Sequence, residues 1–267
     1  MIPLLLFSAD AYAWGLYTHV YFAQMLLWAV PLTDPRYHRA IKSFPKLVLA
    51  GACLPDLALL GNSPWGNPFS TTHQWQRARK LLDGAQSDEE YALSLGFAIH
   101  LLVDVIAHNH FVPAHEKIWL NIHTLTHAAA EWAMDVHVRK HLFAEPGDLM
   151  DTHRNELAEY VAQHFDCPRP LSMRGVAMLA GAENLLRASR LPDLCYHGAR
   201  LLDAGMQCRF NYYLSETCTH LAQIDRILLG EEPVWDANPA CSDAASRPGF
   251  KLVTPLQLRH RIPLPQD

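Results

Sequence analysis

The chain has 267 residues, of which 50% are hydrophobic and 18% are charged, a balance that argues against an intrinsically disordered protein. Its formal charge is −5 at pH 7, whereas proteins that bind duplex nucleic acid through phosphate contacts are usually basic, so we expect no duplex nucleic-acid partner. Histidine is the residue in excess, with 16 copies against 22 lysines and arginines together.

The first thirteen residues form a short apolar segment that ends in Ala11-Tyr12-Ala13, an A-x-A cleavage pattern. The segment lacks a basic region and is shorter than ordinary signal peptides, so cleavage and retention both stay open. If residues 1–13 are removed, the expected location is periplasmic or secreted; if they are retained, it is cytoplasmic. We find no apolar run of about 18 residues, and therefore expect no membrane-spanning helix.

The next elements have helical periodicity. A helix of about 15 residues follows Trp14, with Thr18 as its predicted N-cap and Pro31 ending it. A second helix is predicted over 35–49, with an interruption near Pro45.

A loop rich in Gly, Pro and Ser follows over 62–72 and carries Trp65 and Phe69 at its predicted tip. Either Thr71 or Thr72 is expected to cap the helix that comes next. The two aromatic side chains suggest an apolar lip that could receive lipid or a base, although a loop anchored on the core by one tryptophan is an equally good interpretation.

The central helix is the most apolar stretch of the chain. Ser87 and Glu90 form a capping-box pattern at its start, and the run 96–111 continues it. Proline interrupts helical hydrogen bonding, so the helix is expected to end by Pro113.

Further helices are predicted near 115–141, 149–165, 171–189 and 193–229, and beyond Gly230 six prolines indicate an irregular tail. No β-type alternation persists and no internal repeat is found. The predicted fold is all-α: a single multi-helix, bundle-like domain over 14–229 with an irregular Pro-rich C-terminal tail over 230–267.

The central helix also carries the first metal-site signal. His100 and Asp104 are four residues apart, so their side chains share one face of the helix. A buried aspartate needs a cation, and no lysine or arginine lies between Lys80 and Lys117. A divalent ion would supply the charge, and imidazole with carboxylate is a ligand set that zinc accepts.

Other candidates lie along the chain. His127 and Glu131 form a second i, i+4 pair, Asp56 and His73 flank the aromatic loop, and His19 lies in the first helix. Each of these alone is more simply a structural residue. The six cysteines show no C-x-x-C spacing, so a thiolate zinc site is not expected, and disulfides among the last five are permitted but not required.

Taken in order, the set W-G-x-x-x-H, P-D, T-H, H-x-x-x-D-x-x-x-x-x-H and H-x-x-x-E resembles the zinc-dependent phospholipase C superfamily. That superfamily includes bacterial phospholipases C, the amino-terminal domain of glycosylphosphatidylinositol-specific phospholipase D, and single-strand-specific nucleases. The resemblance covers Trp14 to about Asp135 and implies an all-helical fold with up to three zinc ions. Residues 136–267 contain no recognised motif of the superfamily.

The resemblance implies a role for each matching residue. Trp14, through its own amine and carbonyl, and His19 would hold one zinc ion. A second would be held by Asp56, His73 and His100, with Asp104 bridging these two ions, and a third by His110, His127 and Glu131. The predicted ligands are Trp14, His19, Asp56, His73, His100, Asp104, His110, His127 and Glu131. His108 competes with His110, and the six-residue spacing from Asp104 favours His110. Ligation by the Trp14 amine requires removal of residues 1–13; otherwise two ions rather than three are expected.

The branches of the superfamily differ, and this chain shares features with several. The spacing of five from Trp14 to His19 matches the nucleases, whereas Glu131 resembles the phospholipases C. The segment from Gly15 to His19 and the region around His127 look most like the phospholipase D domain.

The resemblance implies a zinc-dependent phosphodiester hydrolase, most simply a phospholipase C that cleaves a phospholipid head group, with Asp56 orienting or deprotonating the attacking water. The expected partners are a phospholipid or other phosphodiester and a peripheral membrane contact, with no protein partner. Two alternatives stay open: a single-strand-specific zinc nuclease, and a non-catalytic helical protein that zinc stabilises.

Overall fold

The computed structural model describes residues 15–60, 68–119 and 123–233. These residues form helices and turns without a β-strand, so the predicted all-α class is confirmed. The helices are α1 Leu16–Ala29, α2 Pro35–Ser43, α3 Pro45–Gly51, α4 Trp75–Gly84, α5 Asp88–Ile106, α6 Val112–Ile118, α7 His123–Arg139, α8 Pro146–Thr152, α9 Arg154–His164, α10 Arg169–Ala188, α11 Leu191–Leu202, α12 Met206–Leu221 and α13 Ile224–Leu228. The predicted tail over 230–267 lies outside the described residues from 234 onward, and the domain division stays a prediction.

Helix α5 is the core of the molecule, and every residue from Ala92 to Ile106 is buried. Its predicted start is confirmed, since the Ser87 side chain accepts a hydrogen bond from the Glu90 amide at 3.2 Å. Glu90 in turn accepts from the amide of Gln86 at 2.7 Å, which satisfies a second amide at this helix end.

Helix α5 ends at Ile106 and so has ended by Pro113, as predicted, but the chain stays helical beyond that point. A π-helical turn over Ala107–Phe111 connects α5 directly to α6, and Pro113 lies in the first turn of α6. A proline in a regular helix clashes with the carbonyl four residues earlier, here Asn109. The wider π turn places the proline at a helix start, where its missing N–H costs little. The predicted helix over 115–141 is correspondingly two helices, α6 and α7.

Helix α3 packs closely on α5 at two glycines. A Cβ on Gly96 would lie 2.1 Å from the Val48 carbonyl oxygen, and one on Gly51 would lie 2.5 Å from the Leu93 carbonyl oxygen. Only glycine permits this approach. The contact brings the end of α3, and the 3-10 segment Leu54–Leu60 after it, to the face of α5 that carries His100.

Several predicted boundaries differ from the observed ones. The N-cap of α1 is Gly15 rather than Thr18, and neither Thr71 nor Thr72 caps α4, which follows Gln74. The predicted helices over 149–165 and 193–229 divide into α8 and α9 and into α11, α12 and α13. The five cysteines in the described ranges are free thiols.

One continuous helical stretch, 88–118, is long and apolar enough by length and composition to cross a bilayer, although no such helix is expected from the sequence. In its most apolar window, 89% of the residues are buried within the protein, as expected for a core helix. Helix α2 with the segment 45–60 also passes this test as a pair, but it bends by 99° at the break.

Candidate metal centre

Three groups of histidines and acids each bring their ligand atoms within 4.8 Å of one another, and all lie around α5. The first group contains His19, His100 and Asp104, the second contains Asp56, His73 and His100, and the third contains His108, His127 and Glu131. Eight side chains from α1, the 3-10 segment, the turn before α4, α5, the π turn and α7 therefore meet in one buried region.

Asp104 is at the centre of this arrangement. Its Oδ1 lies 3.2 Å from Nε2 of His19, and its Oδ2 lies 3.1 Å from Nε2 of His100 and 3.5 Å from Nε2 of His73. The two carboxylate oxygens thus face different histidines, which is the geometry needed for a carboxylate that bridges two ions. Burial by itself would raise the pKa of Asp104, but the neighbouring His100 and His19 hold it well below its ordinary value.

Hydrogen bonds orient two of the imidazole rings, one directly to the backbone and one through a threonine hydroxyl. His100 Nδ1 lies 2.7 Å from the carbonyl oxygen of Ala52, a contact in which the ring N–H donates and leaves Nε2 as the acceptor. The ring of His100 also stacks on His19, with centroids 3.5 Å apart. His73 Nδ1 lies 3.3 Å from the Thr72 hydroxyl, and that hydroxyl donates to the Pro55 carbonyl at 2.6 Å.

Asp56 completes the second group. Its Oδ1 is buried and makes no hydrogen bond within the part of the chain that the structure describes. It lies 3.6 Å from Nε2 of both His73 and His100, and those two nitrogens are 3.2 Å from each other. Two imidazole nitrogens and a carboxylate oxygen directed at one another in a buried site are suited to a shared cation.

The third group differs from the sequence prediction in one residue. His127 Nε2 lies 2.8 Å from Glu131 Oε1, and His108, not His110, is the histidine that joins them. On a helix, residues two apart point to nearly opposite sides, and His110 lies within the π turn rather than beyond the end of the helical run. His110 is buried elsewhere, and its carbonyl accepts a bond from the Tyr213 hydroxyl at 3.3 Å. The i, i+4 spacing of Asp104 and His108 was the signal that could have identified His108.

The charges of these side chains fit a divalent ion. Burial raises the pKa of Glu131 well above its ordinary value, and the carboxylates of Asp104, Asp56 and Asp135 raise it further. Burial lowers the pKa of His108 to about 4, which keeps its imidazole neutral at pH 7. The neutral imidazole is the form in which histidine binds zinc, and a cation bound beside Glu131 would offset the burial and the repulsion that raise the pKa of this carboxyl.

The N-terminus of α1, which precedes His19, is held by a residue of α7. Asp135 accepts hydrogen bonds from the Thr18 amide at 2.9 Å and from its hydroxyl at 2.8 Å. Arg187 of α10 pairs with Asp135 at 2.5 Å and also with Glu183. Burial raises the pKa of Glu183 to about 7, against the lowering effect of Arg187. Arg187 could not be predicted from the sequence, because 52 residues separate it from Asp135.

Two features predicted from the sequence, the ligand Trp14 and the exposed aromatic loop, are not found in the site that the structure describes. Trp14 and Trp65 lie outside the described residues, so the ligand role of Trp14 stays a prediction. Phe69 is buried and packs near Phe165, with centroids 6.5 Å apart, so it does not form part of an exposed lip.

A comparison with known protein families supports a zinc site in this part of the chain. The family model of zinc-dependent phospholipase C matches residues 18–167, which is more than half of the chain. The chain belongs to the zinc-dependent phospholipase C family. No curated protein and no solved structure matches it. The matched range contains all three groups, whereas Arg187 and helices α10 to α13 lie outside it.

Proposed function

We propose that this member of the zinc-dependent phospholipase C family is a phosphodiester hydrolase that cleaves the head group from a phospholipid. The observation that carries the proposal is the convergence of five imidazoles and three carboxylates in three groups, two of which share His100. Bound zinc would supply Lewis acidity toward the phosphodiester and lower the pKa of a water molecule toward 7. The residues we assign to two or three zinc ions are His19, Asp56, His73, His100, Asp104, His108, His127 and Glu131.

Asp56 is the residue we assign to the attacking water. Its buried Oδ1 is directed toward the same region as His73 and His100, so it can accept a proton from water there and orient it. His73 has a side chain that is 12% exposed, against 2% or less for Asp56, His100 and Asp104. Substrate would therefore approach from the side of His73.

The test is metal content together with turnover of the purified protein. We expect at least two zinc ions per chain and hydrolysis of a chromogenic phosphocholine ester that is lost on chelation and restored by zinc. Asp56→Asn should lower turnover by about two orders of magnitude or more. Asp83→Asn is the matched control, because this exposed side chain pairs with Arg79 on the surface of α4 and belongs to none of the three groups.

Three results would contradict the proposal, each in a different way. Degradation of single-stranded DNA without hydrolysis of lipid esters would identify a nuclease. Tightly bound zinc whose removal unfolds the chain, with no turnover of any phosphodiester, would identify a structural metal site. Less than one zinc ion per chain would refute the metal centre itself.

A further inference from the structure

Helices α7 and α11 pack against each other in opposite directions. Near one end of the pair, Arg139 binds Asp193 at 2.8 Å. At the other end, just before α7, the Trp119 indole N–H donates to Asp203 at 2.8 Å, immediately after α11. The C-terminal end of α11 therefore lies beside the α6–α7 connection, at the same end of α7 as His127.

This end of the molecule exposes large apolar side chains. Ile118 and Leu202 directly precede the bonded Trp119 and Asp203, and they are 44% and 91% exposed. Leu201 is 86% exposed, and Leu125, in the first turn of α7, is 55% exposed. We name these four residues, Ile118, Leu125, Leu201 and Leu202, the apolar rim. Exposed apolar residues grouped in this way are typical of a binding surface, whereas single ones are not.

The charges beside the apolar rim are positive. Lys117 and Arg200, the neighbours of Ile118 and Leu201 in sequence, are both exposed. The nearby carboxylates are turned inward, because Asp203 is buried between Trp119 and Arg209. Glu116 is partly exposed, and one of its two carboxylate oxygens, Oε1, is buried. Apolar side chains fringed by lysine and arginine complement a membrane interface, where the leucines enter the acyl region and the cations meet anionic head groups.

We propose that the apolar rim is the surface by which this protein binds an anionic phospholipid bilayer. The proposal rests on the proposed function in one respect, that the substrate is a lipid. Leu125 precedes His127 by two residues, a rise of about 3 Å along α7, so a bilayer on the rim would lie next to the end of the helix that contributes to the third group. Leu201 and Leu202, at the end of α11, lie outside the matched family range, whereas Ile118 and Leu125 lie within it.

The experiment is cosedimentation of the full chain with vesicles of phosphatidylcholine alone and with added phosphatidylglycerol. We expect binding to the anionic vesicles, weakened about tenfold or more by the double substitution Leu201→Ser/Leu202→Ser. Lys117→Gln and Arg200→Gln should each weaken it by about fivefold and reduce its dependence on low salt. Leu229→Ser is the control, since Leu229 is 77% exposed after α13 and should leave binding unchanged.

Turnover of the soluble phosphocholine ester separates this proposal from the proposed function. The rim variants should retain it, because none of these residues belongs to the three groups. Vesicle binding without any hydrolysis would refute the function and leave the rim supported. Binding that is absent, equal on neutral vesicles, or unchanged in the double variant would overturn the rim proposal. The rim proposal would also be overturned if the wild-type protein formed a dimer that binds no vesicles and the double variant were a monomer. A second copy of the chain would then cover the rim.

Discussion

His100 and Asp104 lie one turn apart on α5, and Nε2 of His100 is 3.1 Å from Oδ2 of Asp104. The other ring nitrogen of His100 is bonded to the Ala52 carbonyl, just after α3. The orientation of this histidine therefore depends on how closely α3 packs against α5. Gly96 permits the close approach of the two helices. One substitution at this glycine therefore tests both the helix packing and the candidate metal centre.

Gly96→Ala should destabilise the protein and weaken zinc binding together. The added Cβ would meet the Val48 carbonyl oxygen at 2.1 Å and the Ala52 amide nitrogen at 2.8 Å, and neither backbone atom can move without shifting α3. We expect a loss of about 2 kcal/mol or more in the free energy of unfolding, measured by urea denaturation. Zinc affinity should fall because Ala52 would move away from His100.

Gly181→Ala is the matched control for this substitution. Gly181 lies inside α10, and a Cβ there would meet nothing within 4 Å. Alanine should stabilise that helix by about 0.5–1 kcal/mol. Equal stability changes in the two variants would contradict the close-packing explanation.

His108→Ala and His110→Ala form a second pair, which distinguishes the group that contains His108 from the ligand set predicted from the sequence. His108→Ala should remove a ligand of the third group and lower the zinc content by about one ion per chain. His110→Ala removes a buried side chain outside the three groups, so it should lower stability but leave zinc content unchanged. Atomic absorption on both purified variants measures this, and the opposite result would restore the assignment made from sequence.

The sequence was sufficient where the signal is local. The capping box at Ser87, the burial of the run after it and the i, i+4 pairs are set by residues within one or two turns of each other, and the structure has them as predicted. The choice between His108 and His110 depended on a helix end at Pro113. A π turn cannot be inferred from a proline alone, because the same residue either ends a helix or begins the next one.

Long-range partners could not be predicted from the sequence either. The absence of a basic residue near Asp104 indicated a cation from elsewhere, but no pattern connects Arg187 with Asp135, or Ala52 with His100. Both contacts depend on the packing of helices that are far apart in sequence.

His115 makes the stability of the fold dependent on pH. Burial lowers its pKa to about 3, although the bond to the Phe111 carbonyl opposes this shift. The unfolded chain, with a histidine pKa near 6.5, then binds a proton that the folded chain does not. The contribution of His115 is therefore complete above about pH 6.5 and decreases as the pH falls toward 3.

Between pH 7.5 and pH 5, His115 alone should reduce the free energy of unfolding by about 2 kcal/mol. His115→Gln keeps a side-chain donor without a titrating ring, so its stability should decrease less over this interval. Urea denaturation at both pH values measures the difference. The idea fails if the variant and the wild type lose the same free energy between the two pH values.

Arg187 connects the C-terminal helices to the metal centre. It binds Asp135 and Glu183 and covers the ring of Tyr17, with its guanidinium carbon 4.4 Å from the ring centroid. Arg187→Met would leave two buried carboxylates without this cation, at a cost of about 3–5 kcal/mol in the free energy of unfolding. Because Asp135 also holds the Thr18 amide, α1 should loosen and the zinc affinity contributed by His19 should fall.

Arg169→Met is the control for this last substitution. Arg169 pairs with Glu159 on the surface, where both side chains are about half exposed, so its removal should cost about 1 kcal/mol or less. Thermal unfolding and zinc titration of the two variants give the comparison. Arg187→Lys keeps the positive charge but loses the planar guanidinium group that reaches both acids. It should therefore be more stable than Arg187→Met and less stable than the wild type. If Arg187→Met lowers stability without changing zinc affinity, the connection from α10 through Asp135 to His19 does not exist.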